Sequence, residues 1–311
     1  MCASSSTLPN TPETVVLGNS RVKTFVYRSR ALFRLLILNI VVGTFVFLSS
    51  CGSESGQTKC EQLQVGQGAE SLTIGYMPPI KGMFGAGDDT TLVVYLHGLG
   101  AAWQQPFMLP QRHTYASTAN HFKPGTAFLS PQYSTAEKCL DSNAIANITS
   151  SIKKVSEKQP FKKIVLSGCS MGASAALCYA TQAPPEIRDK IVGVIAMYAA
   201  GDMVELHDVT GTALVRSALE NCFGGSPRDP KIRERYLSMS VSEHMDEFPK
   251  NAKVYVISAL ADATIPPNLQ KKLVKAFNEH SIPVRLEEIQ APHEIPPSHK
   301  SFTLALKYIL D

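Results

Sequence analysis

Charge is scarce in this 311-residue chain, in which only 18% of residues are Asp, Glu, Lys or Arg. The formal net charge of +4 comes from the first 50 residues, where Arg21, Lys23, Arg28, Arg30 and Arg34 face the single acid Glu13, leaving 25 basic and 25 acidic residues after them. That neutral remainder has no dense Lys/Arg cluster, so it lacks the footprint of a nucleic-acid binder and no nucleic-acid partner is expected. Gly and Pro number 20 each without a repeat, and the seven cysteines are widely spread. Collagen-like, disordered and disulfide-scaffold classes are thereby excluded. There is no CxxC pair and no His-rich spacing, so neither a metal nor an organic cofactor is expected.

Long hydrophobic runs are also missing. The apolar run near the N-terminus, Leu35 to Leu48, spans 14 residues and is interrupted by Asn39, Gly43 and Thr44, whereas a membrane-crossing helix needs about 20. A basic flank, a short apolar core and small residues behind it form the layout of a secretory signal peptide over residues 1–50. The run ends Leu48-Ser49-Ser50-Cys51, which resembles a bacterial lipoprotein box. The resemblance implies that the Cys51 thiol is lipidated and anchors an exported protein to the cell envelope. The alternative is an uncleaved helix from Ala31 to Ser50, which must bury Arg34 or let it snorkel. Residues 51–70, rich in Gly, Ser and Gln, read as a flexible tether. In an oxidising compartment, Cys169 and Cys178 in their apolar stretches read as buried thiols, and three pairings stay open among Cys60, Cys139 and Cys222.

From Ser71 to the C-terminus the chain alternates short β-branched runs with helical patterns, which predicts one α/β domain with a mostly parallel sheet covered by helices on both faces. The strand candidates are Leu72 to Tyr76, Leu92 to Leu96, Ala127 to Leu129, Ile164 to Ser167, Ile191 to Met197, Val254 to Ser258 and Val284 to Ile289. Helices are expected over Asp141 to Lys158, Pro267 to His280 and Ser298 to Leu310, each with apolar residues on one face. Residues 201–250 break the alternation and read as a small helical insertion over the sheet edge.

Ile164-Val165-Leu166-Ser167-Gly168-Cys169-Ser170-Met171-Gly172 is a buried strand running into Gly-x-Ser-x-Gly, followed by a helical pattern from Ala173 to Ala183. Such a turn must be sharp, so small residues are required on both sides, and it lifts the Ser170 hydroxyl to a helix N-terminus whose N–H groups and dipole favour negative charge. Some 70 residues earlier, the strand Leu92 to Leu96 ends in His97-Gly98-Leu99-Gly100. With these two motifs the chain from Ser71 to Asp311 resembles the α/β-hydrolase superfamily. The resemblance implies a nucleophile at Ser170, an oxyanion hole from the N–H groups of Leu99 and Met171, and a structural role for His97.

In that superfamily the acid and the base follow the nucleophile. Asp262 lies just past the strand Val254 to Ser258 in Asp-x-x-Ile-Pro, which resembles the family's acid loop; Asp202, after the strand Ile191 to Met197, is the alternative. His293 ends the loop after Val284 to Ile289, and His299, six residues on, is the weaker candidate for the base. Pro292 stands where the family usually has glycine, which leaves the backbone shape of that loop open. The other histidines, His207 among them, read as surface or packing residues, and Trp103 and Phe107 as core or pocket wall. The expectation is a membrane-anchored serine hydrolase acting on small carboxylic esters. A serine peptidase of prolyl-oligopeptidase type acting on short peptides is one alternative, and a catalytically idle binding protein on the same fold is the other.

Overall fold

Five runs of largely apolar residues and the mixed edge run Val284–Ile289, each too short for a helix and each leading into a turn, assemble side by side in the computed structural model, which describes residues 60–66, 71–80, 90–110, 112–134 and 141–311. The signal peptide, Cys51 and Cys139 lie outside the described residues. The strands are β1 Glu61–Val65, β2 Leu72–Met77, β3 Thr91–Leu96, β4 Thr126–Pro131, β5 Lys163–Cys169, β6 Ile191–Met197, β7 Lys253–Ala259 and β8 Val284–Ile289. They form one sheet in the order β1-β2-β4-β3-β5-β6-β7-β8. Strands β3 to β8 run parallel, while β1 and β2 are antiparallel additions at one edge.

The helices are α1 Gln105–Met108, α2 Tyr115–Phe122, α3 Ser142–Lys158, α4 Met171–Gln182, α5 Pro185–Arg188, α6 Met203–Val209, α7 Ala213–Phe223, α8 Pro230–Ser238, α9 Pro267–Glu279 and α10 His299–Leu310. Side chains alternate across each strand and so build two cores. Leu92, Val94, Leu166, Val194 and Val256 meet Ile148, Ile152 and Val155 of α3, the small face of α4, and Leu273 and Phe277 of α9. On the other face Val93, Tyr95, Val165, Ile195 and Ile257 meet Tyr115 and Ala119 of α2 and Phe302, Leu306 and Ile309 of α10. Trp103 and Phe107 cover Gly75 of β2, where an added Cβ would lie 2.6 Å from both rings. They therefore belong to the packing rather than to a substrate pocket.

The sheet order reverses between β3 and β5, since β4 lies on one side of β3 and the later strands on the other. Crevices at the carboxyl ends of strands beside such a switch point are where open α/β sheets bind ligands. The loop His97–Gly100 leaves β3 there, and Ser170 leaves β5.

Two expectations are corrected. The stretch read as a tether over residues 51–70 contains β1, so the folded domain begins by Cys60 rather than at residue 71. Its polar composition reflects an edge strand in which Gln62 and Gln64 are exposed while Leu63 and Val65 turn inward, with Gln64 Nε2 donating to Thr73 Oγ1 of β2 at 3.0 Å. The insertion after β6 does not lie over a sheet edge. Strand β6 is interior, and helices α6 to α8 build their own cluster around Leu206, Leu219, Phe223 and Tyr236, packed on Met171, Ile265 and Leu269. It stands above the carboxyl ends of the strands, beside Ser170. Cys222, in α7, is disulfide-bonded, and Cys178 is a buried thiol.

Candidate active site

The turn from β5 to α4 is as tight as Gly-x-Ser-x-Gly demands. Ser170 has φ 57° and ψ −123°, a positive-φ conformation that an L-residue holds only when its surroundings over-determine it. Its N–H donates to Met197 O of β6 at 2.8 Å. A Cβ on Gly168 would lie 2.3 Å from Gly172 O, and one on Gly172 would lie 2.0 Å from Leu96 O of β3. Both contacts are to backbone, the first turn of α4 and the end of β3, which cannot move without breaking the helix or the sheet. Gly172→Ala is therefore expected to yield insoluble or unfolded protein, checked by far-UV circular dichroism of whatever fraction stays in solution.

Asp262 and His293 come from the loops after β7 and β8, and the structure brings both to Ser170. His293 Nε2 lies 2.8 Å from Ser170 Oγ, and His293 Nδ1 lies 2.7 Å from Asp262 Oδ2. The Asp262 carboxylate is fully buried and His293 largely so. Its second oxygen, Oδ1, accepts from the N–H groups of Thr264 and Ile265, at 2.8 Å each. An ionised carboxylate only accepts, so Nδ1 carries the proton toward Asp262 and Nε2 presents a lone pair to the serine hydroxyl.

The competing residues are engaged elsewhere. Asp202 caps α6, its Oδ1 accepting from Val204 and Glu205 N–H at 2.8 and 3.0 Å. His299 begins α10 and packs on His113, with ring centroids 4.6 Å apart. His97 is buried; its Nδ1 donates to Gly98 O at 3.0 Å, and its remaining lone pair faces Gln132 Nε2 at 3.2 Å. Burial lowers its pKa below the usual histidine value, which keeps it neutral in the frame of the loop.

The loop carrying His293 is pinned by two buried tyrosines that the motifs do not reveal. Tyr198, at the end of β6 with φ 60°, donates its hydroxyl to Ile295 O at 2.6 Å and sets its ring 5.5 Å from the imidazole. Tyr115 of α2 donates to Pro297 O at 2.8 Å. Burial raises the pKa of both phenols, so they stay donors. Pro292 O accepts from Ile295 N at 3.3 Å, which shows how the loop turns without the usual glycine. Backbone bonds from Leu260 N to Ile289 O and from Ala261 N to Ala291 O join the two loops. Tyr198→Phe is expected to lower kcat roughly three- to tenfold with KM within about twofold, because the base loses one anchor while the substrate pocket is untouched; steady-state kinetics measure the split.

The loop after β3 is held by a second network. Gln105 Oε1 accepts from Gly98 N at 2.9 Å and from Tyr95 OH at 3.2 Å, and Tyr133 OH donates to His97 O at 2.8 Å. This fixes Leu99 across a cleft from Met171, and among the described residues neither of their N–H groups has an acceptor. Ser170 lines that cleft, whose walls include Leu99, Met171, Met203, Leu219, Phe223 and Met239. Among the described residues no charged side chain lines it. His207 ties its two insertion helices together, Nε2 meeting Glu220 of α7 at 2.9 Å. No group of three or more potential metal ligands occurs among the described residues.

No family model matches the chain, and no curated protein matches it. Solved structures do. Acylaminoacyl peptidase of Pyrococcus horikoshii superposes with a TM-score of 0.59 at 13% identity, over 88% of this chain and 42% of that one. Est1E from Butyrivibrio proteoclasticus gives 0.58 at 16%, over 80% and 97%. FphF, a fluorophosphonate-binding serine hydrolase of Staphylococcus aureus, gives 0.61 at 15%, over 82% and 100%. The chain thus spans about two-fifths of the length of the acylaminoacyl peptidases it matches. The fold is the α/β-hydrolase fold.

Proposed function

We propose that the protein is a serine hydrolase that cleaves carboxylic esters through an acyl-enzyme. The observation that carries this reading is the continuous relay from Ser170 Oγ through His293 to Asp262, at 2.8 and 2.7 Å. Ser170 Oγ attacks the ester carbonyl while its proton passes to His293 Nε2, and the buried Asp262 charge stabilises the resulting imidazolium. The N–H groups of Leu99 and Met171 receive the negative charge that develops on the carbonyl oxygen. The tetrahedral intermediate expels the alcohol, which takes the proton from His293. Water, deprotonated by the same nitrogen, then releases the carboxylic acid and restores the serine.

Ester rather than peptide cleavage is supported by the uncharged cleft beside Ser170, which offers a peptide few polar partners. A panel of p-nitrophenyl esters beside aminoacyl-nitroanilides tests it. Ester turnover at least about a hundredfold above anilide turnover in kcat/KM is expected, and the reverse preference would make the protein a peptidase.

The N-terminal reading adds that the enzyme works on the outer side of a membrane, tethered through lipid on Cys51. It rests on the basic flank, the short apolar run and Leu48-Ser49-Ser50-Cys51. Cys51→Ser is expected to abolish incorporation of labelled fatty acid in a bacterial host, and incorporation that survives the change would refute it.

A further inference from the structure

We propose that Thr210 and Gly211, in the turn between α6 and α7, are positioning residues for Asp262, so that the insertion acts on catalysis through the acid as well as walling the cleft. The proposal rests on the reading of Ser170, His293 and Asp262 as a triad and adds what holds its acid in place. Asp262 Oδ1 accepts from two successive peptide groups, through Thr264 N and Ile265 N at 2.8 Å each. The carbonyl ends of those same two groups belong to Ala263 and Thr264, and both are bonded to the insertion. Gly211 N donates to Ala263 O at 3.0 Å, and Thr210 Oγ1 donates to Thr264 O at 2.8 Å. A trans peptide group is a rigid plane whose N–H and C=O point in opposite directions. An anchor on each oxygen therefore sets the direction of the N–H that holds the carboxylate, and the chained bonds polarise one another.

The contact is close on both sides. A Cβ on Gly211 would lie 2.9 Å from Ala263 O, so any larger residue pushes that carbonyl or the turn away. Thr210 is buried, and its Oγ1 also accepts from Thr212 N at 3.3 Å, while Thr212 Oγ1 lies 3.2 Å from Thr264 Oγ1. The two helices of the insertion have ties of their own. Arg216 donates to His207 O and Thr210 O at 3.1 Å each, and His207 meets Glu220 at 2.9 Å. The cleft walls on α7 thus keep their place when the Thr210 hydroxyl is removed, and the loss belongs to kcat rather than to KM.

The test is steady-state hydrolysis of p-nitrophenyl butyrate by Thr210→Val, Thr210→Ser and Gly211→Ala, each made in the wild type and in Asp262→Asn, with circular dichroism reporting the fold. In the wild type, Thr210→Val and Gly211→Ala should lower kcat about five- to twentyfold with KM within about twofold, whereas Thr210→Ser, which keeps the donor, should stay within about twofold in both. In Asp262→Asn the charge being positioned is gone, so the same two substitutions should cost about twofold or less, because residues that act through one group are not additive. The two variants disturb different peptide groups, so either decides alone. Equal losses in the two backgrounds, wild-type kcat in a folded variant, or a loss that Thr210→Ser shares with Thr210→Val would overturn the inference and leave the triad standing. An Asp262→Asn protein as fast as the wild type would overturn the triad acid, and the inference with it.

Discussion

Ser170→Ala is expected to lower ester turnover by at least about 10⁴ in kcat, the scale on which removal of a triad nucleophile is felt elsewhere. The fold should survive. Alanine keeps the Cβ that the elbow already accommodates, and the Ser170 N–H to Met197 O bond is made by backbone. The only partner lost is the hydroxyl, which leaves His293 Nε2 facing a small space that water can enter. What remains of catalysis would come from the Leu99 and Met171 N–H groups and from binding, which in serine proteases leave a residual acceleration over water. Comparison of purified wild type and variant, with matched circular dichroism, measures the loss. Wild-type turnover in a folded variant would remove Ser170 from the mechanism.

Asp262→Asn is the second large effect, with a drop of roughly a hundredfold or more in kcat, against less than about tenfold for Asp202→Asn. The geometry explains the difference. In Asp262→Asn the amide oxygen can still accept from the Thr264 and Ile265 N–H groups, so the amide NH₂ is turned toward His293 Nδ1. Nδ1 must then act as acceptor, Nε2 carries the proton, and the lone pair aimed at Ser170 is lost together with the charge that stabilises the imidazolium. At position 202 the side chain only caps α6, and asparagine caps a helix about as well as aspartate. Steady-state kinetics on the two folded variants give the ranking, and its reversal would move the acid to the loop after β6.

Much of this arrangement is legible in the amino-acid sequence. Strands β3 and β5 to β7 are short runs rich in Val, Ile and Leu, β8 alternates Val284, Leu286 and Ile289 with charged residues, and Ser170, Asp262 and His293 each follow a strand within a few residues, where a parallel sheet collects its loops. Strand β1 escapes because an edge strand is wetted on one side, and Gln62 and Gln64 on that side give it the composition of a linker. The place of the insertion escapes for a different reason. Its helices are readable, but that β6 is interior, and that the loop after it overhangs Ser170, follows only from the strand order. The supporting polar residues carry the least signal. Gln105 acts on a backbone N–H seven residues away, and Tyr198 reaches a carbonyl 97 residues away. Neither contact belongs to a local pattern, and the positive φ of Tyr198 is a tertiary strain that local propensity argues against.

Reaction with a fluorophosphonate, followed by mass-spectrometric location of the adduct, tests the central claim most directly, because phosphonylation requires a serine whose hydroxyl is activated by a neighbouring base. One adduct per chain is expected, on the peptide containing Gly168-Cys169-Ser170-Met171-Gly172 and at Ser170, and it should be absent from Ser170→Ala and slowed in Asp262→Asn. A folded wild-type protein that forms no adduct, or forms it on another residue, would contradict the account.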